Sequence, residues 1–220
     1  MLSRVGCDPD SMQEGDRDRT AGYPYARIIE STLEVPLMSA QRVTAEYRPQ
    51  AAQLQLLLQI LDESYGRKAW HGPNLRGSIR GLSAEEAAWR PRPDRHSIAE
   101  IVVHSAYWKY AVRRRLRDER RGSFVLKGSN WFALPTSLSQ SNWRDFVAFL
   151  DDEHRALREA IAAFPPERLD DIPKGGKVRW MTLIHGVAMH DVYHAGQIQL
   201  LKRLQIPQAM PKTARAARTS

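Results

Sequence analysis

Seven residues, Trp143, Val147, Leu150, His154, Leu157, Ile161 and Phe164, recur at alternating steps of four and three along one stretch of the chain. That spacing is the inward face of a helix packed against other helices, and it constrains the fold more than any other feature. Three further long helices can be read from the sequence. The first spans about 51–65 and is heavily apolar, with Leu54, Leu56, Leu57, Leu58, Ile60 and Leu61. The second spans 97–117 and opens on Ser97-Ile98-Ala99-Glu100, a capping-box pattern. The patterned helix itself spans 142–164 and stops at Pro165-Pro166; the last spans 182–205, before Pro207.

Shorter elements lie between them. Trp70-His71-Gly72-Pro73 interrupts the chain before a short helix at 74–80, and Ser83-Ala84-Glu85-Glu86 caps one or two turns that end before Pro91. A long polar crossover containing Trp131, Phe132 and Pro135 joins the second and third long helices, and a Gly175-Gly176 loop precedes the fourth. The expected fold is therefore all-α, a four-helix bundle with a long crossover between helices 2 and 3. Residues 1–40 are expected to be a disordered leader, 41–206 the bundle and 207–220 a flexible basic tail. Residues 1–37 read as an upstream extension, with Met38 as an alternative start.

Against this background three histidines stand where leucine would be expected. Leu183, Val187, His190, His194, Gln197 and Leu201 form one inward stripe of the last helix. His190 and His194 are one turn apart on the same face and converge. His104 follows Ile101 by three residues and precedes Trp108 by four, so it shares or borders the buried stripe Ile101, Ser105, Trp108, Val112. Burying imidazoles without partners is costly, and a divalent metal removes that cost. Three imidazoles from two helices leave open positions for substrate, as in catalytic metal sites.

The strings Trp70-His71-Gly72-Pro73-Asn74-Leu75-Arg76-Gly77, Ser97 to Trp108 with His104, and His190-Asp191-Val192-Tyr193-His194-Ala195-Gly196-Gln197-Ile198 carry a resemblance. Over about residues 50–205 the chain resembles the DinB-like (YfiT-like) metal-binding four-helix bundles. The resemblance implies that His104, His190 and His194 bind a divalent metal. It also implies frequent homodimerisation, and either hydrolysis or transfer of a low-molecular-weight thiol. Imidazole ligands suit zinc and nickel first, with iron and manganese as further options.

Other residues have two readings each. His154, on the seam, is either a fourth ligand or base at the metal, or a core histidine hydrogen-bonded across the bundle. Asp191 either accepts the second ring N–H of His194 or is an exposed helix charge. Gln197 continues the stripe and is expected to line the cavity. Tyr193 either donates to a substrate or packs. Glu100 is explained by its capping role, His185 faces away from His190, and His96 and His71 need no catalytic explanation. Trp70, Trp89, Trp108 and Trp143 read as core and helix-end packing.

Composition narrows the function classes. The net charge is +8, and Arg113, Arg114, Arg115, Arg117, Arg120 and Arg121 cluster at the end of the second helix. Cations there complement the helix dipole, and no zinc-finger, RNA-binding or helix-turn-helix signature accompanies them, so no specific nucleic-acid partner is expected. No apolar run approaches a membrane span, and no signal peptide is evident. The single cysteine, Cys7, leaves no intrachain disulfide or thiolate metal site. A cytoplasmic location is expected. Paired glycosidase carboxylates, a phosphate loop and a serine nucleophile elbow are all missing. The leading expectation is a metal-dependent hydrolase or thiol S-transferase acting on a small molecule. The alternative is a non-catalytic metal- or ligand-binding bundle linked to stress response.

Overall fold

Local signals set most of the helix boundaries. A computed structural model describes residues 49–206, apart from Ser123. The expected leader and tail, including Cys7, lie outside the described residues. Helix α1 runs Pro49–Tyr65, α2 Leu75–Ser78, α3 Ala84–Ala88, α4 Ile98–Leu116, α5 Gln140–Ala162 and α6 Trp180–Gln205, with one 3-10 turn at Pro166–Arg168. There is no strand among the described residues. Both capping boxes form: Ser83 with Glu86 opens α3, and Ser97 with Glu100 opens α4. Asn74 and Ser139 cap α2 and α5 through their side chains. The short helix closes sooner than the expected 74–80, ahead of Gly81, whose φ of +76° turns the chain out of helical geometry.

Helices α1 and α4 each pack against both α5 and α6, so α1 lies across the bundle from α4. The small helices α2 and α3 cover one end, α2 against α6 and α3 against α4 and α5. The seam of α5 faces inward as its spacing requires: Trp143, Leu150, His154, Leu157, Ile161 and Phe164 are buried and Val147 is half-buried. Each fully buried leucine or isoleucine of this kind contributes about 1.5–3 kcal/mol of apolar transfer. Trp70 departs from expectation: it is fully solvent-exposed, because the loop after α1 carries it away from both cores.

Two apolar clusters fill the bundle, one towards each end. One gathers Leu75, Ile98, Val102, Trp143, Leu150 and Ile198, and the other Leu57, Leu61, Leu157, Ile161, Trp180 and Ile184. The stretches between them, around His104 to Lys109 on α4, Asp151 to His154 on α5 and His190 to His194 on α6, carry polar side chains. The bundle therefore has a polar belt across its middle, joined by Tyr65 from the end of α1. Helix α6 is rotated from the expected stripe. Its buried line is Ile184, Val187, Ala188, Asp191, His194, Ala195, Ile198 and Leu201, with Leu183, His190 and Gln197 at the edges. Asp191 lies on this buried line, where a lysine on α4 meets it.

Candidate metal centre

The belt brings His104, His190 and His194 to one point. Nε2 of His190 lies 3.0 Å from Nε2 of His104 and 3.0 Å from Nε2 of His194. The three available ring nitrogens all lie within 4.8 Å of one another, and the cluster could hold a metal ion. His104 and His194 are almost completely buried, whereas His190 is half-buried.

The hydrogen bonds decide the tautomers of the two buried rings. Nδ1 of His104 is 3.0 Å from the backbone carbonyl of Asn130, which can only accept, so Nδ1 carries the proton. Nδ1 of His194 is 2.6 Å from Oε1 of Gln197, whose Nε2 is committed to donating to Tyr193, so Nδ1 again carries the proton. Both Nε2 atoms are therefore bare lone pairs. His190 Nε2 has at most one hydrogen to offer them while neutral, and one lone pair stays opposed to another nitrogen. A fourth proton, which would make one ring an imidazolium, is not a ready solution. Burial, reinforced by the neighbouring imidazoles, holds His104 down to about 3 and His190 to about 2. Burial also holds His194 down to about 4, against the bond to Gln197. Three neutral imidazoles presenting nitrogen lone pairs to one point are the donor set of a divalent cation, and the residues present fit such an ion.

The supporting shell differs from expectation in two places. Asp191 neither accepts from His194 nor faces solvent: it is fully buried and its Oδ2 accepts from the equally buried Lys109 Nζ. The orienting role falls to Gln197 instead, which grips His194 and is itself half-buried at the site. His154 is not part of the cluster among the described residues. Its ring stacks on Tyr65 at 3.7 Å, and its buried Nδ1 has no hydrogen-bond partner among the described residues. Burial and the Lys109 and Arg158 charges hold it down to about 2.

Lys109 is the chief residue that sequence reasoning missed. A signal existed: Lys109 follows Ser105 by four residues and precedes Val112 by three, on a stripe that is otherwise buried. A lysine at such a position calls for a buried acid. Its ammonium also lies 4.8 Å from the centre of the Tyr65 ring, and the Tyr65 hydroxyl donates to Asp151, which Arg76 holds at 2.9 Å. Burial pushes the Lys109 ammonium down and the Asp191 carboxyl up, while each charge supports the other.

The crossover was also missed as a part of the site. Trp131 stacks on His104 at 3.8 Å and on His96 at 3.6 Å, so it is held between two imidazoles, and its edge approaches His194. Glu100 caps α4 as expected and also receives Arg90 at 2.6 Å. Burial opposes its charge, but bonds from His96 and Arg90 bring its carboxyl down to about 2. Tyr193 is exposed rather than packed, and His71 and His185 are exposed.

An all-helical bundle with three inward imidazoles on its second and fourth long helices defines the class of protein. The family model of the DinB superfamily matches residues 69–198, and the chain belongs to that superfamily. Neither a curated protein nor a solved structure matches the chain.

Proposed function

We propose that the chain is a metal-dependent enzyme of hydrolase or low-molecular-weight-thiol S-transferase type, acting on a small molecule with a divalent cation held by His104, His190 and His194. The observation that carries this reading is the pair of bare Nε2 lone pairs on His104 and His194, both aimed at His190. A cation bound there supplies Lewis acidity, which serves water, a carbonyl or a thiol equally well. Zinc and nickel suit the all-imidazole donor set best.

The chain's own groups divide the remaining work. Asn130 and Gln197 fix two imidazoles in the tautomer that presents Nε2. Trp131 excludes water from the face of His104. Access is from the His190 side, where Tyr193 is exposed beside Gln197 and its hydroxyl is within reach of a substrate. Asp191 is spent on Lys109, so it is not the base, and His154 lies against Tyr65. The thiol of a transfer reaction comes from outside the chain.

The test is turnover by the full chain loaded with zinc or nickel, assayed for ester and amide hydrolysis and for conjugation of low-molecular-weight thiols. Turnover in one class, lost on chelation and lost in His190→Ala, is the expected result. Tight metal binding with no turnover in any class would replace this reading with the non-catalytic metal- or ligand-binding bundle. Homodimerisation and a cytoplasmic location belong to the same proposal, with no specific nucleic-acid partner and no membrane. No helix among the described residues is long and apolar enough to cross a membrane.

A further inference from the structure

The crossover between α4 and α5 has none of the periodicity of the helices, yet two of its residues hold one candidate ligand. Asn130 is one of two described non-glycine residues with positive φ, at +64°, a conformation that asparagine adopts more readily than most residues. In that conformation its backbone carbonyl accepts from His104 Nδ1 at 3.0 Å, and its side-chain Oδ1 accepts from Trp108 Nε1 at 3.1 Å. Trp131 then lies almost parallel to His104, at 8°, and to His96, at 5°. One residue fixes the proton of His104 and the next fixes the plane of its ring.

We propose that Asn130 and Trp131 are positioning residues for His104, so that closure of the crossover over the site and metal binding are one coupled equilibrium. This rests on the metal reading above. With the crossover closed, His104 is held in the Nδ1–H tautomer with Nε2 directed at His190 and His194. With it open, the ring loses its acceptor and its stacking partner and returns to a mixture of tautomers and rotamers. Whatever factor the closed crossover contributes to metal affinity, bound metal returns to crossover closure. The arrangement needs asparagine or glycine at 130, because a β-branched residue does not adopt that φ without strain. It needs a flat ring at 131.

Zinc affinity of the full chain, measured by competition with a chromophoric chelator, tests the first half. Trp131→Ala and Asn130→Val are expected to bind zinc about 10–100-fold more weakly, the usual cost of losing an outer partner of a metal ligand. Trp131→Phe, which keeps a stacking ring, recovers most of the loss, and Asn130→Gly, which keeps the conformation and the carbonyl, weakens binding far less than Asn130→Val. Trypsin tests the second half, since Arg120, Arg121 and Lys127 are exposed on the crossover. Zinc is expected to slow cleavage there in the unmodified chain but not in Trp131→Ala. Should Trp131→Ala lose its helical circular dichroism, Asn130→Val against Asn130→Gly carries the same comparison.

Native-like zinc affinity in folded Trp131→Ala and Asn130→Val would overturn the proposal while leaving the metal site intact. Crossover cleavage indifferent to bound zinc in the unmodified chain would overturn the coupling in the same way. A chain that binds no zinc at all would remove the metal reading and this proposal together.

Discussion

Lys109→Met is expected to destabilise the protein by about 3–5 kcal/mol, the cost of leaving one partner of a buried ion pair without the other. For a domain of this size that is a fall in melting temperature of about 6–20 °C. Both side chains of the pair are wholly inaccessible to solvent, so water does not screen the loss. The reason is specific to Asp191: among the described residues its Oδ1 has no partner, and Lys109 supplies the only hydrogen bond its Oδ2 receives. The pH dependence follows with a definite sign. Burial alone raises the Asp191 carboxyl, and without Lys109 it rises further above its unfolded value. A raised carboxyl penalises the fold where the group must be charged, so the gap between variant and unmodified protein narrows as pH falls. The double variant Lys109→Met/Asp191→Leu removes both charges and is expected to regain most of the loss. Chemical denaturation of the three proteins at pH 7.5 and 5.5 measures all of this. A Lys109→Met protein as stable as the unmodified one would show that the pair carries no such weight.

The second large effect is the dependence of stability on metal and acid. Zinc at 100 times its dissociation constant is expected to stabilise the fold by about 2.7 kcal/mol, raising the melting temperature by about 5–11 °C. Without metal, stability is complete above the ordinary histidine value of 6.5 and falls as pH is lowered beneath it. The cause is that the unfolded chain takes up protons there, while burial holds His104, His190 and His194 neutral down to about 3, 2 and 4. Native and chelator-treated protein compared in thermal melts between pH 7.5 and 4.5 provide the measurement. A flat profile without metal would contradict the buried neutral cluster.

What could be read from the chain beforehand was what local spacing encodes. The α5 seam, the Ser83 and Ser97 capping boxes and the His190–His194 pair are each short-range patterns, and each appears in the structure as its spacing requires. His104 was placed by the same logic, since one helical stripe carries it inward.

The main failures at the site are long-range. Asp191 pairs with a lysine 82 positions earlier in the chain, and an acid read from its own helix alone looks either exposed or available to His194. Gln197, not Asp191, stands behind His194, and Asp191 is engaged by that same unseen lysine. Asn130 reaches His104 across 26 positions from a crossover with no periodicity, and only the folded chain brings its carbonyl there. Trp70 shows the reverse error: a large aromatic residue next to a Gly-Pro turn reads as packing, yet its loop leaves it in solvent.

Metal content of the full-length chain by mass spectrometry, beside His104→Ala and His190→Ala variants checked for helical folding, goes most directly to the centre. One divalent ion per chain in the unmodified protein, lost from both folded variants, is the predicted result. No bound metal in the unmodified chain even after reconstitution would contradict it, and the three imidazoles would then be polar residues of the core and nothing more.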